Sequence, residues 1–264
     1  MKAVILCGGK GTRLREETEY KPKPMVTIGK MALLWHIMKI YSYYGINDFI
    51  LCLGYKGEMI KDYFLNFETW SNDFTLKLRC KPDEKIIHHN QECLEDWNIT
   101  FADTGQDSMT GSRVAQIKKY LGGIGEDEDF FVTYGDGVSD IDIKKLYEFH
   151  KEKGRIATLT GVHPASHYGV LETDGDIVKS FKEKPRLDGM VSGGFFVFNK
   201  KVFDYLSEDK NCVLEDEPLK RLAINNQLAV YQHGGFWYSV DTYKQYEELS
   251  KMCEDGNMPW KVWV

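Results

Sequence analysis

The stretch that most constrains this chain is Lys2–Pro24, KAVILCGGKGTRLREETEYKPKP. Ala3 to Leu6 is an apolar run without polar alternation, which is the pattern of a buried strand. It breaks at once into Gly8-Gly9-Lys10-Gly11-Thr12-Arg13. The glycines remove side chains where the backbone is crowded, so amide N–H groups can approach an anion, and Lys10, Thr12 and Arg13 add donors. By composition this is a phosphate cradle. A P-loop needs Ser or Thr after Gly-Lys, whereas Gly11 follows Lys10, and the dinucleotide fingerprint would place a third Gly where Leu14 stands. The competing reading is a strand-to-helix turn that binds nothing. Lys21 and Lys23, each held beside a proline, weigh against it.

A chain of 264 residues with 42% hydrophobic content can bury one sizeable core, and a single α/β domain over 1–264 is the expectation. The net charge of −6 and the lack of a long Lys/Arg run exclude a nucleic-acid surface. An anionic substrate must therefore meet local positive charge or a metal. The six cysteines, Cys7, Cys52, Cys80, Cys93, Cys212 and Cys253, show neither close pairing nor ligand spacing. With a core strand at the N-terminus instead of a signal peptide, they read as reduced thiols in a cytoplasmic protein. No segment approaches the roughly 20 apolar residues of a membrane-spanning helix.

Met31 to Tyr44 has helical apolar spacing, Asp48 to Leu53 reads as a strand, and Gly57 to about Phe67 reads as a helix. This β-α-β-α start predicts a mostly parallel sheet with crossover helices, and the glycine loop lies at a strand's carboxyl end, where open sheets bind ligands. The insert from 66 to 96 is hard to read. Its His88-His89 cannot converge on one ion in a strand, because adjacent side chains point to opposite faces. Asn98 to Ala102 is another strand, leading to a helix from Val114 to Leu121 with Thr110 as a plausible N-cap. Arg113 at a helix start opposes the macrodipole, and a compensating anion would explain it.

Phe130 to Tyr134 is a second buried strand, stopping at Gly135-Asp136-Gly137. A carboxylate between two glycines at a strand end can reach a hard cation freely, which makes Asp136 the candidate magnesium ligand. Asp140 and Asp142 offer a rival Asp-x-Asp pair, but Asp142 is placed to cap a helix from Ile143 to Lys153. Beyond Ile156 strands and hairpins dominate, with Asp174-Gly175 as a type I′ hairpin signal. Glu183-Lys184-Pro185 reads equally as an exposed ion pair. Gly193-Gly194 inside a strand marks something close to the backbone, with a sugar ring as the candidate. Asp241 is placed to cap a helix from Tyr243 to Cys253.

The run from Gly8 to Leu14 followed by Lys21-Pro22-Lys23-Pro24-Met25-Val26 resembles the signature of the nucleotidyltransferases that make nucleotide sugars. Leu34-Trp35-His36, Tyr134 to Val138, Gly193 to Phe196 and Pro259-Trp260-Lys261 are similar to the cytidylyl branch, which joins CTP to glucose 1-phosphate. The resemblance covers essentially the whole chain. It implies a Rossmann-like, GT-A-like sheet, with a nucleotide-binding half over 1–155 and a sugar-phosphate half, including a smaller β-rich part, over 156–264. It implies nucleotide contacts from Leu6, Cys7, Gly8, Gly9, Lys10, Gly11, Thr12, Arg13, Lys23, Ser108, Arg113 and Gly135. Sugar-phosphate contacts would come from Gly169, Glu183, Lys184, Gly193 and Gly194. Arg13, Lys23 and Asp136 would be catalytic, Asp136 and Asp241 would hold Mg2+, and the protein would be a homo-oligomer, in the family's manner a hexamer. One departure is visible. The family's Gly-Gly-Lys-Pro before the Trp35-His36 helix is here Gly29-Lys30-Met31-Ala32, so the helix lacks a proline suited to its first turn. Two other readings compete: the same reaction on another base or sugar, and a glycosyltransferase using Asp140 and Asp142.

Overall fold

In the computed structural model, residues 1–79, 85–89, 95–122, 129–164, 166, 168–183, 185–186 and 188–263 are described. Seven strands form one sheet: β1 (Lys2–Leu6), β2 (Asp48–Leu53), β3 (Asn98–Asp103), β4 (Asp129–Tyr134), β5 (Ala157–Val162), β6 (Val191–Asn199) and β7 (Leu228–His233). Their order is β7-β5-β6-β4-β1-β2-β3. Every pairing is parallel except the two made by β6, which runs against both β4 and β5. The sheet is mostly parallel, as the sequence pattern predicts, and strands from both halves of the chain belong to it.

The apolar run of β1 is explained by its central place. Ala3 and Ile5 enter one core with Ile37, Met38 and Tyr41 of helix α1 (Leu33–Tyr43), while Val4 and Leu6 enter the other with Val114 and Phe196. Side chains alternate along a strand, so a strand covered on both faces must be apolar throughout. Helices α2 (Gly57–Leu65), α4 (Ile143–Lys153) and α6 (Tyr243–Glu254) add Ile60, Leu146 and Leu249 to the first core. Helices α3 (Thr110–Gln116) and α5 (Glu217–Ile224) close the second with Val114 and Leu222.

Several local expectations are corrected. Thr110 is not an N-cap: Met109 holds that position without a side-chain bond, and after Gln116 the chain tightens into a 3-10 turn at Ile117–Tyr120. The hairpin Val170–Asp174/Ile177–Lys182 exists, but its two-residue turn is Gly175-Asp176. Among the described residues in that turn only Gly175 has positive φ (56°), whereas a type I′ turn requires it at both central residues. The aromatic tail folds onto its own chain. Trp260 is fully buried, its ring lying 6.0 Å from that of His36, and Trp263 stands edge-on to Trp35 at 5.7 Å. It therefore gives no argument for an oligomer.

Cys7 and Cys52 are buried small hydrophobes, and the four described cysteines are free. Cys80 and Cys93 lie outside the described residues. His88 faces Glu68 (3.9 Å) and His89 faces Thr75 (2.8 Å), so the two rings do diverge. No described helix is long and apolar enough to cross a membrane.

Candidate active site

The carboxyl ends of the parallel strands are stitched together by main-chain bonds: Cys7 N to Cys52 O (3.0 Å), Gly135 N to Leu6 O (3.1 Å) and Thr104 N to Leu53 O (3.1 Å). The glycine loop leaves β1 at this edge. Gly11 takes a positive φ of 60°, and a Cβ there would meet Thr18 Cγ2 at 2.7 Å. Gly8 carries the tightest constraint, since a Cβ would fall 2.1 Å from Arg113 Nη1.

Arg113 is 4% exposed, and its guanidinium donates to Leu53 O (2.8 Å), Thr104 Oγ1 (2.7 Å), Gly105 O (2.9 Å) and Gly8 O (3.0 Å). The partners that offset its charge are thus protein oxygens, mostly backbone carbonyls, in place of the anion expected from its helix position. Burial lowers its pKa. It ties the glycine loop to the ends of β2 and β3, and it still lines the cavity above them.

Lys23 stands in a 3-10 turn, Lys23–Met25, whose Pro24 packs where a Cβ on Gly135 would sit, 2.8 Å from Pro24 Cγ. This contact brings Lys23 to the end of β4. Its ammonium donates to Asp136 Oδ2 (2.7 Å) and to Asp241 Oδ1 (2.9 Å), and Arg13 Nη2 reaches the same Asp241 oxygen at 3.1 Å. The two aspartates, 105 positions apart in sequence, meet because the short strand Gly137–Ser139 pairs antiparallel with Trp237–Ser239 and Val240 N bonds to Asp136 O (2.9 Å). Half-burial pushes the Asp241 carboxyl up, but the hydrogen bond and charge of Lys23, together with Arg13, more than offset this and hold it below its ordinary value. The capping role expected of Asp241 belongs to Thr242, which forms a reciprocal capping box with Gln245. Asp241 is thereby left to face Lys23.

Two cavities meet over this cluster. One, of about 300 Å³, is lined by every residue expected at the nucleotide except Lys10. Lys10 points away and pairs with Asp107 at 3.0 Å. The second, about 280 Å³, is bounded by Ser192, Gly193, Trp237 and Ser239, and shares Arg13, Tyr134, Asp136 and Asp241 with the first. Of the described residues expected at the sugar phosphate, only Gly193 lines it; its carbonyl accepts from Trp237 Nε1 at 2.7 Å. Gly194 is explained by protein: it has φ 78°, and a Cβ would lie 2.3 Å from the Tyr134 ring, so the close neighbour is an aromatic side chain instead of a sugar. Gly169 and the exposed Glu183 adjoin one another, Glu183 Oε2 being 3.2 Å from where a Cβ on Gly169 would stand. Lys184 lies outside the described residues.

Asp142 caps α4 by accepting from Lys145 N (2.9 Å), and Asp140 accepts from Phe236 N (2.7 Å) and faces His233 Nε2 (2.9 Å). Both members of the rival Asp-x-Asp pair are therefore occupied in building turns. Sequence reasoning missed Tyr134, Thr110 and Trp237 as cavity walls. Tyr134 directly precedes Gly135 and Asp136, which were singled out, and nothing in its spacing shows which way its ring turns.

The chain matches the nucleotidyl transferase family over residues 2–256. A protein of Bacillus subtilis (strain 168) named as a probable glucose-1-phosphate cytidylyltransferase is 50% identical, with both chains covered in full. A glucose-1-phosphate cytidylyltransferase of Salmonella typhi is 48% identical, again over the full length of both. Among solved structures, apo UDP-glucose pyrophosphorylase superposes with a TM-score of 0.69 at 18% identity, covering 97% of this chain and 99% of the other, and so shows the fold. On the family match and the two full-length identities, the chain belongs to the nucleotidyl transferase family, in the branch of the glucose-1-phosphate cytidylyltransferases.

Proposed function

We infer that the chain joins CTP to glucose 1-phosphate, forming CDP-glucose and pyrophosphate. The observation that carries this reading is the junction of two cavities over a cluster of two cations and two carboxylates. One cavity has a glycine cradle for a triphosphate; the other has hydrogen-bonding walls suited to a sugar.

A sugar-phosphate oxygen attacks the α-phosphorus of CTP, the new P–O bond forms, and the bond from that phosphorus to the bridging oxygen of the pyrophosphate breaks. The attacking oxygen is already ionised, so no general base is required. What the protein must do is hold two anions in line and neutralise charge. Backbone N–H groups of Gly8 to Gly11 face the triphosphate, Arg13 stabilises the departing pyrophosphate, and Lys23 neutralises phosphate oxygens as charge builds.

Asp136 and Asp241 are the residues that would hold Mg2+. Their oxygens already gather round one cation, the Lys23 ammonium, at 2.7 and 2.9 Å. No group of three or more His, Cys, Asp or Glu ligands occurs among the described residues, which suits a metal that takes one or two carboxylates and completes its shell with water and phosphate. When bound, Mg2+ supplies charge neutralisation of phosphate oxygens.

Pyrophosphate release with CTP, UTP, dTTP and GTP, each offered with glucose 1-phosphate, tests the reading: CTP is expected to be the preferred substrate. Removing a charge contact made in the transition state costs about a hundredfold or more in rate, so Lys23→Ala and Asp136→Ala should each fall by that factor. Near-normal turnover in either variant would overturn the assignment.

A further inference from the structure

Four residues line both cavities: Arg13, Asp136, Asp241 and Tyr134. Three are charged and belong to the cluster already described. Tyr134 is the uncharged member, at the carboxyl end of β4, and it is held on two sides. Its ring lies against Gly194, whose positive φ and missing Cβ make room for it, and stands edge-on to Phe196 at 5.9 Å. Its hydroxyl donates to Glu215 Oε1, while Glu215 Oε2 accepts from the hydroxyl of Thr110 at 2.6 Å. Thr110 lines the nucleotide cavity, and its own Oγ1 accepts from Leu214 N at 2.9 Å.

Glu215 itself lines neither cavity and is exposed. It comes from the sugar half of the chain, just before α5. The same segment grips the start of α3 through Met109 N to Lys210 O (2.8 Å) and Ser112 N to Cys212 O (3.0 Å). A carboxylate that accepts from two cavity-lining hydroxyls, one on β4 and one on α3, has an orienting geometry. Charge-assisted bonds of this kind are short and directional. Burial and the adjacent Glu215 charge push the Tyr134 phenol well above its ordinary pKa, so it remains a donor and has no acid-base part in the transfer.

We propose that Glu215 is a positioning residue for the transfer, fixing the Tyr134 ring as the partition between the nucleotide and sugar chambers and so setting how the two substrates meet. The proposal rests on the functional reading above. It predicts a defect in the alignment of two bound substrates, with nucleotide capture left intact, because Glu215 touches no part of the glycine cradle.

The test uses the full-length protein with Mg2+, CTP and glucose 1-phosphate, following pyrophosphate release, with CTP affinity measured separately by calorimetry in the absence of sugar phosphate. Glu215→Ala should lower kcat about tenfold while the Kd for CTP stays within about threefold of wild type. Glu215→Gln, which keeps an acceptor oxygen for the phenol, should recover most of the lost rate. Tyr134→Phe should lower kcat in the same way, and the double variant should be little worse than Glu215→Ala alone, because Glu215→Ala already removes the Tyr134 contact together with that to Thr110. Should Glu215→Ala fail to fold, Tyr134→Phe carries the same comparison. An unchanged kcat, a CTP affinity that weakens in step with kcat, or additive single effects would each overturn the proposal while leaving the functional reading intact. Absence of wild-type turnover would overturn both.

Discussion

Arg113 shows how a single residue can be singled out for a place in the fold that it does not hold. The expected helix start at Val114 would set the cation against the macrodipole, but the observed helix, Thr110–Gln116, carries Arg113 in its last turn, and what needs a remedy is the burial of its charge. The remedy is not visible, because the oxygens of Gly8, Leu53, Thr104 and Gly105 come from three separate strand ends. Replacing a buried forked donor by a single ammonium strands several of these acceptors. Arg113→Lys should therefore cost about 2–4 kcal/mol of stability, measurable by denaturant unfolding. Lys23 and Asp136 were legible because each is flanked by Pro or Gly in a segment with no packing reason for a charge, and Arg13 because it closes the glycine loop. The direction of Tyr134 and the use of Gly194 were not, since a glycine in a strand shows only that something is close.

Elements were legible where periodicity was strong. Asp48–Leu53 has the bounds its apolar run predicts, and α1 differs from its predicted span by one or two residues at each end. Caps were less so, because adjacent Asp241 and Thr242 are both good N-caps by type, and only the fold shows that Thr242 takes the role. Thr242→Ala removes the side-chain acceptor of the capping box, the oxygen bonded by Gln245 N, and should cost about 1 kcal/mol, a fall of about 2–4 °C in Tm for a chain of this size. Beside α1, the His36 ring faces Ile28 O through Nε2 (3.0 Å) and accepts from Trp260 Nε1 at Nδ1 (3.3 Å), an arrangement that needs the neutral ring. Burial lowers its pKa. The unfolded ring protonates first as pH falls, so this contribution to stability is present above about pH 6.5 and is lost below it toward the lowered folded value. The slope of Tm against pH between about 7 and 5 should be shallower in His36→Gln than in wild type.

At the scale of the whole molecule, the parallel sheet was legible from its β-α-β-α start, while the antiparallel β6 in its interior was not, since a strand buried on both faces reads the same in either direction. At the end of β4 remote from the site, Asp129 is nearly enclosed and bonded by Asn199 Nδ2 (2.9 Å) and Lys151 Nζ (3.1 Å), with His150 Nε2 at 3.5 Å. Burial alone would raise its pKa, but these partners outweigh it and bring the carboxyl down to about 2. Its stabilisation, about 1–2 kcal/mol, is present above the ordinary carboxylate value of about 3.9 and is lost as pH falls through the folded value. Thermal melts should show the gap between wild type and Asp129→Asn closing over that window.

The burial of Trp260 against His36 also bears on when the molecule can be finished. Helix α1 is sealed by a side chain that leaves the ribosome only after every strand of the sheet has been made. Until then Trp35 and His36 lie uncovered beneath a missing lid. The nascent chain therefore holds this part of its core open until Trp260 emerges, and a message broken just short of the Trp260 codon yields a whole sheet whose founding helix is exposed to chaperones and proteases.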